Sequence, residues 1–171
     1  MSKVPVPSEL ADCWILSLGA PSNAHYLMNA LVRSGFRITP RARMMMEQSS
    51  FTLSLGKKII RLAALSVQDL GFEHGAEYRH ICAQAVAALR LSLCPGEVGP
   101  LFRKSYANQP RGGLIYVAMT PIVMPNSERG IFIVGRDAGG PMLGADEVYL
   151  DDFYAASDQF LFLVPDNRIH R

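Results

Sequence analysis

Leu114-Ile115-Tyr116-Val117-Ala118-Met119-Thr120-Pro121-Ile122-Val123-Met124 and, after the turn Pro125-Asn126-Ser127, Gly130-Ile131-Phe132-Ile133-Val134-Gly135 are the stretches that decide the fold. Both are dense in β-branched, aromatic and long apolar residues, which suit a pleated, buried surface. The turn between them makes them partners in antiparallel pairing. Pro121 has no N–H to give to a ladder, so it predicts an edge position or a bulge at that end. Phe160-Leu161-Phe162-Leu163-Val164 reads as a last strand, followed by a polar tail.

Upstream of these strands the periodicity turns helical. Residues 76–91 give the clearest helix, with Tyr78, Ile81, Cys82, Ala85, Ala88 and Leu89 on one face at spacings of three and four. A second, short helix is predicted over 96–106, after Cys94-Pro95, and Asn108-Gln109-Pro110-Arg111-Gly112-Gly113 is a turn rich in breakers. Ser22 or Asn23 caps a helix that Gly35 closes, with Tyr26, Leu27, Ala30 and Leu31 on its apolar face. Thr39-Pro40 is a second start signal, for a helix carrying Met44, Met45 and Met46, two of which are expected to fill the core. Residues 50–55 alternate, with Phe51, Leu53 and Leu55 on one side, and Gly56-Lys57-Lys58 turns toward a second run at 59–67, so a hairpin is expected there, although Ala63-Ala64-Leu65 also suits a helix. Residues 10–18 are apolar but fit a short helix or a strand equally well. Residues 1–21 read as an N-terminal extension and 22–171 as a single domain. With helices early and strands late, the expected class is α+β: N-terminal helices packed on a mainly antiparallel sheet of four to six strands.

The chain has 171 residues, 49% hydrophobic and 19% charged, which is enough apolar surface for one core and excludes a disordered chain. Its formal net charge of +2 provides no global field for nucleic acid. The charge is uneven, however: 13 Lys+Arg against 7 Asp+Glu up to Arg111, then 4 against 8. No apolar run approaches the ~20 residues that span a bilayer. The three cysteines, Cys13, Cys82 and Cys94, are odd in number and lack zinc-site spacing, which argues against a disulfide framework. No secretory signal opens the chain, so a cytoplasmic protein is expected; injection or other non-classical export leaves no mark to read.

Glu73, His74, Glu77 and His80 fall within eight residues, but the pattern is not H-E-x-x-H, so they read as solvated residues at a helix start and no metal site is expected. Gly135-Arg136-Asp137-Ala138-Gly139-Gly140-Pro141 lacks the lysine and hydroxyl of a phosphate loop and is followed by Asp146, Glu147, Asp151 and Asp152, so a long surface loop without a cofactor is expected. Arg33, Arg37, Arg41, Arg43, Lys57, Lys58 and Arg61 would bind nucleic acid only if they shared a face. Cys94 precedes a helix start, which lowers a thiol pKa, but no nucleophile signature surrounds it.

The run Leu91-Ser92-Leu93-Cys94-Pro95-Gly96-Glu97-Val98-Gly99-Pro100-Leu101-Phe102-Arg103, then Tyr106, Gln109-Pro110, Val117-Ala118-Met119 and Pro121-Ile122, is similar to the core motif of a family of small uncharacterised bacterial proteins. The similarity extends over residues 26–166 and implies kinship but no activity. Gly113 and Thr120 stand where that family often carries acids. The motif sets Cys94, Glu97, Arg103, Tyr106 and Gln109 between proline and glycine constraints, and these five are the candidate ligand-binding residues. The competing reading is structural, with Arg103 pairing with Glu97 or capping carbonyls at the helix-to-strand turn. The function expected is a non-catalytic regulatory module that binds a protein or a small ligand. The alternatives are a small hydrolase or transferase using Cys94 or Glu97, and a nucleic-acid binder using the basic region from Arg33 to Arg61.

Overall fold

The computed structural model describes residues 13–166. Along the chain run β1 (Cys13–Leu18), α1 (Ala24–Arg33), β2 (Arg37–Ile38), α2 (Pro40–Met46), β3 (Lys58–Ser66), β4 (Ala76–Glu77) and α3 (Tyr78–Leu89). Then follow α4 (Val98–Ser105), β5 (Leu114–Val117), β6 (Ile122–Val123), β7 (Arg129–Asp137), β8 (Gly140–Glu147), β9 (Phe153–Tyr154) and β10 (Gln159–Val164). The main sheet has eight strands in the order β1-β3-β10-β5-β7-β8-β2, with β6 also on β7, and β4 and β9 form a separate pair.

This corrects the expected architecture of N-terminal helices on a mainly antiparallel sheet of four to six strands. The sheet is larger and mixed: β10 runs parallel to β5, and β2 runs parallel to β8. The helices are not gathered at the N-terminus but interleave with strands from β1 onward. The cause is that β10, last in the chain, enters between β3 and β5. A parallel pair needs a long crossover, which leaves no turn signature in the sequence. The segment 13–18, set apart above within an extension, is the edge strand β1, paired with β3 from Cys13↔Ala63 to Leu18↔Lys58. The rest of that extension up to residue 12, and the tail from residue 167, lie outside the described residues.

Residues 50–55 form no strand. Phe51 is buried but Leu55 is fully exposed, and β3 pairs with β1 and β10 instead of with this segment. The two early helix starts form as read: Tyr26 N–H donates to Asn23 Oδ1 (2.7 Å) and Ala42 N–H to Thr39 Oγ1 (3.3 Å). Of the three methionines on α2, Met45 and Met46 are buried and Met44 is exposed.

The two faces of the sheet are covered differently. Gly99 of α4 lies on Phe132 and Met45 of α2 lies over Gly130, so these helices share one face of β7. On the opposite face, Tyr78 at the start of α3 packs its ring against Phe160 (6.0 Å), which stacks on Tyr116 (5.1 Å). Strand β10 is therefore covered on both sides, and Phe160, Leu161 and Phe162 are wholly buried.

Candidate functional site

Residues 94–113 hold the three buried polar side chains among the described residues: Glu97, Arg103 and Gln109. Each is hydrogen-bonded from within the fold. Both Glu97 carboxylate oxygens accept the Ser54 backbone N–H (3.2 Å each), and the Ser54 hydroxyl donates to Oε1 as well. Glu97 thus pins the irregular segment before β3 onto the start of α4. Arg103 is 0% exposed. Its Nη1 donates to Gln109 Oε1 (2.6 Å) and Gly135 O (2.7 Å), and its Nη2 donates to Tyr106 O. Gln109 Nε2 donates in turn to Val134 O (2.9 Å). The pair therefore ties α4 and the α4–β5 loop to the backbone of β7.

Arg103 and Glu97 do not pair with each other; of the two structural roles weighed for Arg103, carbonyl capping is the one found. The guanidinium sits 5.2 Å from the Phe36 ring centroid, and its Nε has no hydrogen-bond partner. Burial, with the Arg136 cation nearby, lowers its pKa to about 10. Tyr106 is half-buried and packs against Trp14 (5.4 Å) and Phe102 (5.5 Å).

The Cys94 thiol is buried and donates to Leu161 O (3.4 Å). Burial pushes its pKa strongly upward, the opposite of what a nucleophilic thiol requires. No side-chain base is among its hydrogen-bond partners. At the start of α3, Glu77 Oε2 pairs with Arg79 (2.6 Å) and lies 3.9 Å from His80 Nδ1, while His74 is exposed. No group of three or more metal-ligating side chains is arranged to hold an ion among the described residues. The glycine-rich run is not a long loop but the tight end of the β7–β8 hairpin: Asp137 Oδ1 accepts from Gly139 N–H (2.8 Å) and from the Arg37 guanidinium. Arg41 pairs with Glu128 (3.1 Å). Of the basic residues of the first third, Arg37 and Arg41 thus pair with carboxylates of the second half, Arg43 donates to Met28 Sδ (3.9 Å), and Lys57, Lys58 and Arg61 lie at the start of β3.

A surface that the motifs did not flag lies on β5, β7 and β8, on the face away from α4. The registers Tyr116↔Ile133 and Gly135↔Met142 place Leu114, Tyr116, Ile133 and Met142 together there. Leu114 is exposed and the other three are half-buried. A Cβ on Gly135 would stand 3.1 Å from Leu114 Cδ1 and 3.2 Å from Met142 Cε, so glycine lets both side chains lie flat on the backbone. Asp146 closes one end of this face, across from Ile131. Burial raises its carboxyl pKa against the lowering effect of Arg41, and Asp158 and Asp146 add to burial in raising that of Tyr116. The sequence signal for this surface was the alternation of Ile131, Ile133, Gly135 with Met142, Gly144, Asp146, legible only once the hairpin register is known.

No protein-family model, no curated protein and no solved structure matches this chain. No helix among the described residues is long and apolar enough to cross a membrane.

Proposed function

We propose that the protein is a non-catalytic binding module, acting in the bacterial cytoplasm, that takes a protein or small ligand on the open face of β5, β7 and β8. The observation that carries this reading is the partly exposed apolar surface of Leu114, Tyr116, Ile133 and Met142, ending at the half-buried Asp146. A mostly apolar surface with one convergent charged group is what recognition sites offer. The motif residues support the non-catalytic part of the reading, since Cys94, Glu97, Arg103 and Gln109 are bound to backbone and hydroxyl groups of the fold.

The test is capture from bacterial lysate, together with a thermal-shift screen of small metabolites, using the wild type and a Leu114→Lys/Met142→Lys variant that keeps its circular dichroism spectrum. A ligand held by the wild type and lost by the variant supports the proposal. Binding that persists in the variant moves the site elsewhere. Turnover of a substrate that Cys94→Ala or Glu97→Gln abolishes would establish the hydrolase or transferase reading instead.

A further inference from the structure

Strand β3 separates two exposed apolar patches of opposite charge. At its Lys58 end, Ile15 of β1 and Ile59 of β3 are both 74% exposed and lie diagonally across the pair, since Ile15 faces Arg61 and Ser17 faces Ile59. The exposed Leu55 lies near this end of the pair, in the turn at 54–56 whose backbone packs on Gly19 just after β1 and leaves no room there for a Cβ. Lys57, Lys58 and Arg61 are exposed around these residues and form no ion pair among the described residues. Asp166, just beyond β10, is the carboxylate that follows at this end.

At the Ser66 end the chemistry is reversed. Val67 N–H donates to Asp158 O and Gln68 N–H to Ala156 O, which brings the segment after β9 to this pole. Tyr149, Leu150 and Phe153 are exposed here, with the Phe153 ring over Gly75. Tyr149 donates its hydroxyl to Glu147 and its N–H to Asp152 (2.8 Å), Asp151 is exposed between Leu150 and Asp152, and Asp69 and Glu73 are exposed in the segment after β3. Two cations lie by these acids: Arg79, paired with Glu77 (2.6 Å), and the exposed Arg129, whose carbonyl accepts from Val148 N–H (2.8 Å).

We infer that a second copy of this chain docks its basic Ile15–Leu55–Ile59 patch on the acidic Tyr149–Leu150–Phe153 patch, giving head-to-tail self-association. Exposed apolar residues set among charges mainly of one sign mark an interaction surface, and here a surface of mainly opposite sign is on the same molecule. Because the two patches are different surfaces of the chain, the contact is heterologous and each copy keeps one patch free for the next. This inference stands whether or not the open face of β5, β7 and β8 takes a ligand.

Sedimentation velocity on the purified chain over a wide concentration range tests it. The expected result is concentration-dependent association that weakens about tenfold or more between ~0.05 and ~0.5 M NaCl, as screened charge pairs require. Two variants, Lys57→Glu/Lys58→Glu and Leu150→Lys/Asp151→Lys, should each be monomeric alone at low salt. Mixed, they should associate, because a native basic patch on one variant meets a native acidic patch on the other. All four positions are exposed, and unchanged circular dichroism confirms folding; Ile59→Ser, which keeps every charge, should weaken association on its own. A wild type that stays monomeric at low salt and high concentration overturns the inference. So does a dimer that survives in both variants, or a mixture that associates no more than its components.

Discussion

Arg103 is wholly buried, yet its hydrogen bonds run to the neutral oxygens of Gln109, Gly135 and Tyr106. A buried cation held this way is stabilised by oriented dipoles and by the Phe36 ring rather than by a counter-charge. Truncation would leave three acceptors unpaired and a void against α4. Arg103→Ala should therefore cost about 3–5 kcal/mol in urea unfolding, since each buried acceptor left unpaired costs about 1–3 kcal/mol. Arg103→Lys should recover only part of that loss, since one ammonium cannot span the fork between Gly135 O and Tyr106 O. If Arg103→Ala unfolds within about 1 kcal/mol of wild type, the guanidinium is not the tie between α4 and β7. The proline and glycine spacing of the motif was enough to mark Glu97, Arg103 and Gln109 as unusual. Their partners were not legible, because Ser54 lies 43 residues before Glu97 and Gly135 lies 32 after Arg103. Those distances are closed by sheet register, which no local pattern encodes.

Elements whose signals are local were legible in the sequence. The Asn23 and Thr39 caps and the apolar face of α3, from which the exposed Ala88 drops out, each depend on neighbours within four residues. The segment at 50–55 shows the opposite case: its alternation suits a strand, but the neighbouring edge of β3 is taken by β1 and Ser54 is held by Glu97. The packing of α4 makes a sharper prediction. A Cβ on Gly99 would stand 2.7 Å from the Cβ, Cγ and Cδ2 atoms of Phe132. Helix propensity alone favours alanine over glycine by about 1 kcal/mol, so the sign of the effect separates the two forces. Gly99→Ala should destabilise by about 1–3 kcal/mol, because β7 holds Phe132 in place and the helix must shift outward. Gly130→Ala is the control: its Cβ would meet the Met45 Sδ at 2.6 Å, but methionine has rotamers with which to yield. Its cost in the same denaturation series should be clearly smaller. Equal costs would mean that α4 is free to slide on the sheet.

At the scale of the whole molecule, the strand made last is the one the sheet needs most. β10 pairs with β3 through six residues and with β5 through three, and both of its faces are covered. Every contact it makes with β3 joins residues near 61–66 to residues near 159–164. Such pairing is expensive in loop entropy until the intervening helices and hairpin are in place, so the sheet closes late. This is also why the strand order escaped the sequence: the composition of Phe160–Val164 shows a buried strand but not which two neighbours bury it. A chain ending at Asp158 should lack a cooperative thermal transition, because β3 and β5 would then expose unpaired edges at the centre of the sheet. Removal of the edge strand β1, by starting at Gly19, should be less severe. β1 pairs with β3 alone among the described strands, and its loss uncovers one face of Ile60 and Leu62 without splitting the sheet. That shorter chain should still unfold cooperatively, at a lower temperature. Should the chain ending at Asp158 melt cooperatively, the β1–β3 and β5–β7–β8 halves would each hold structure without the strand that joins them, and β10 would be a late addition rather than the keystone.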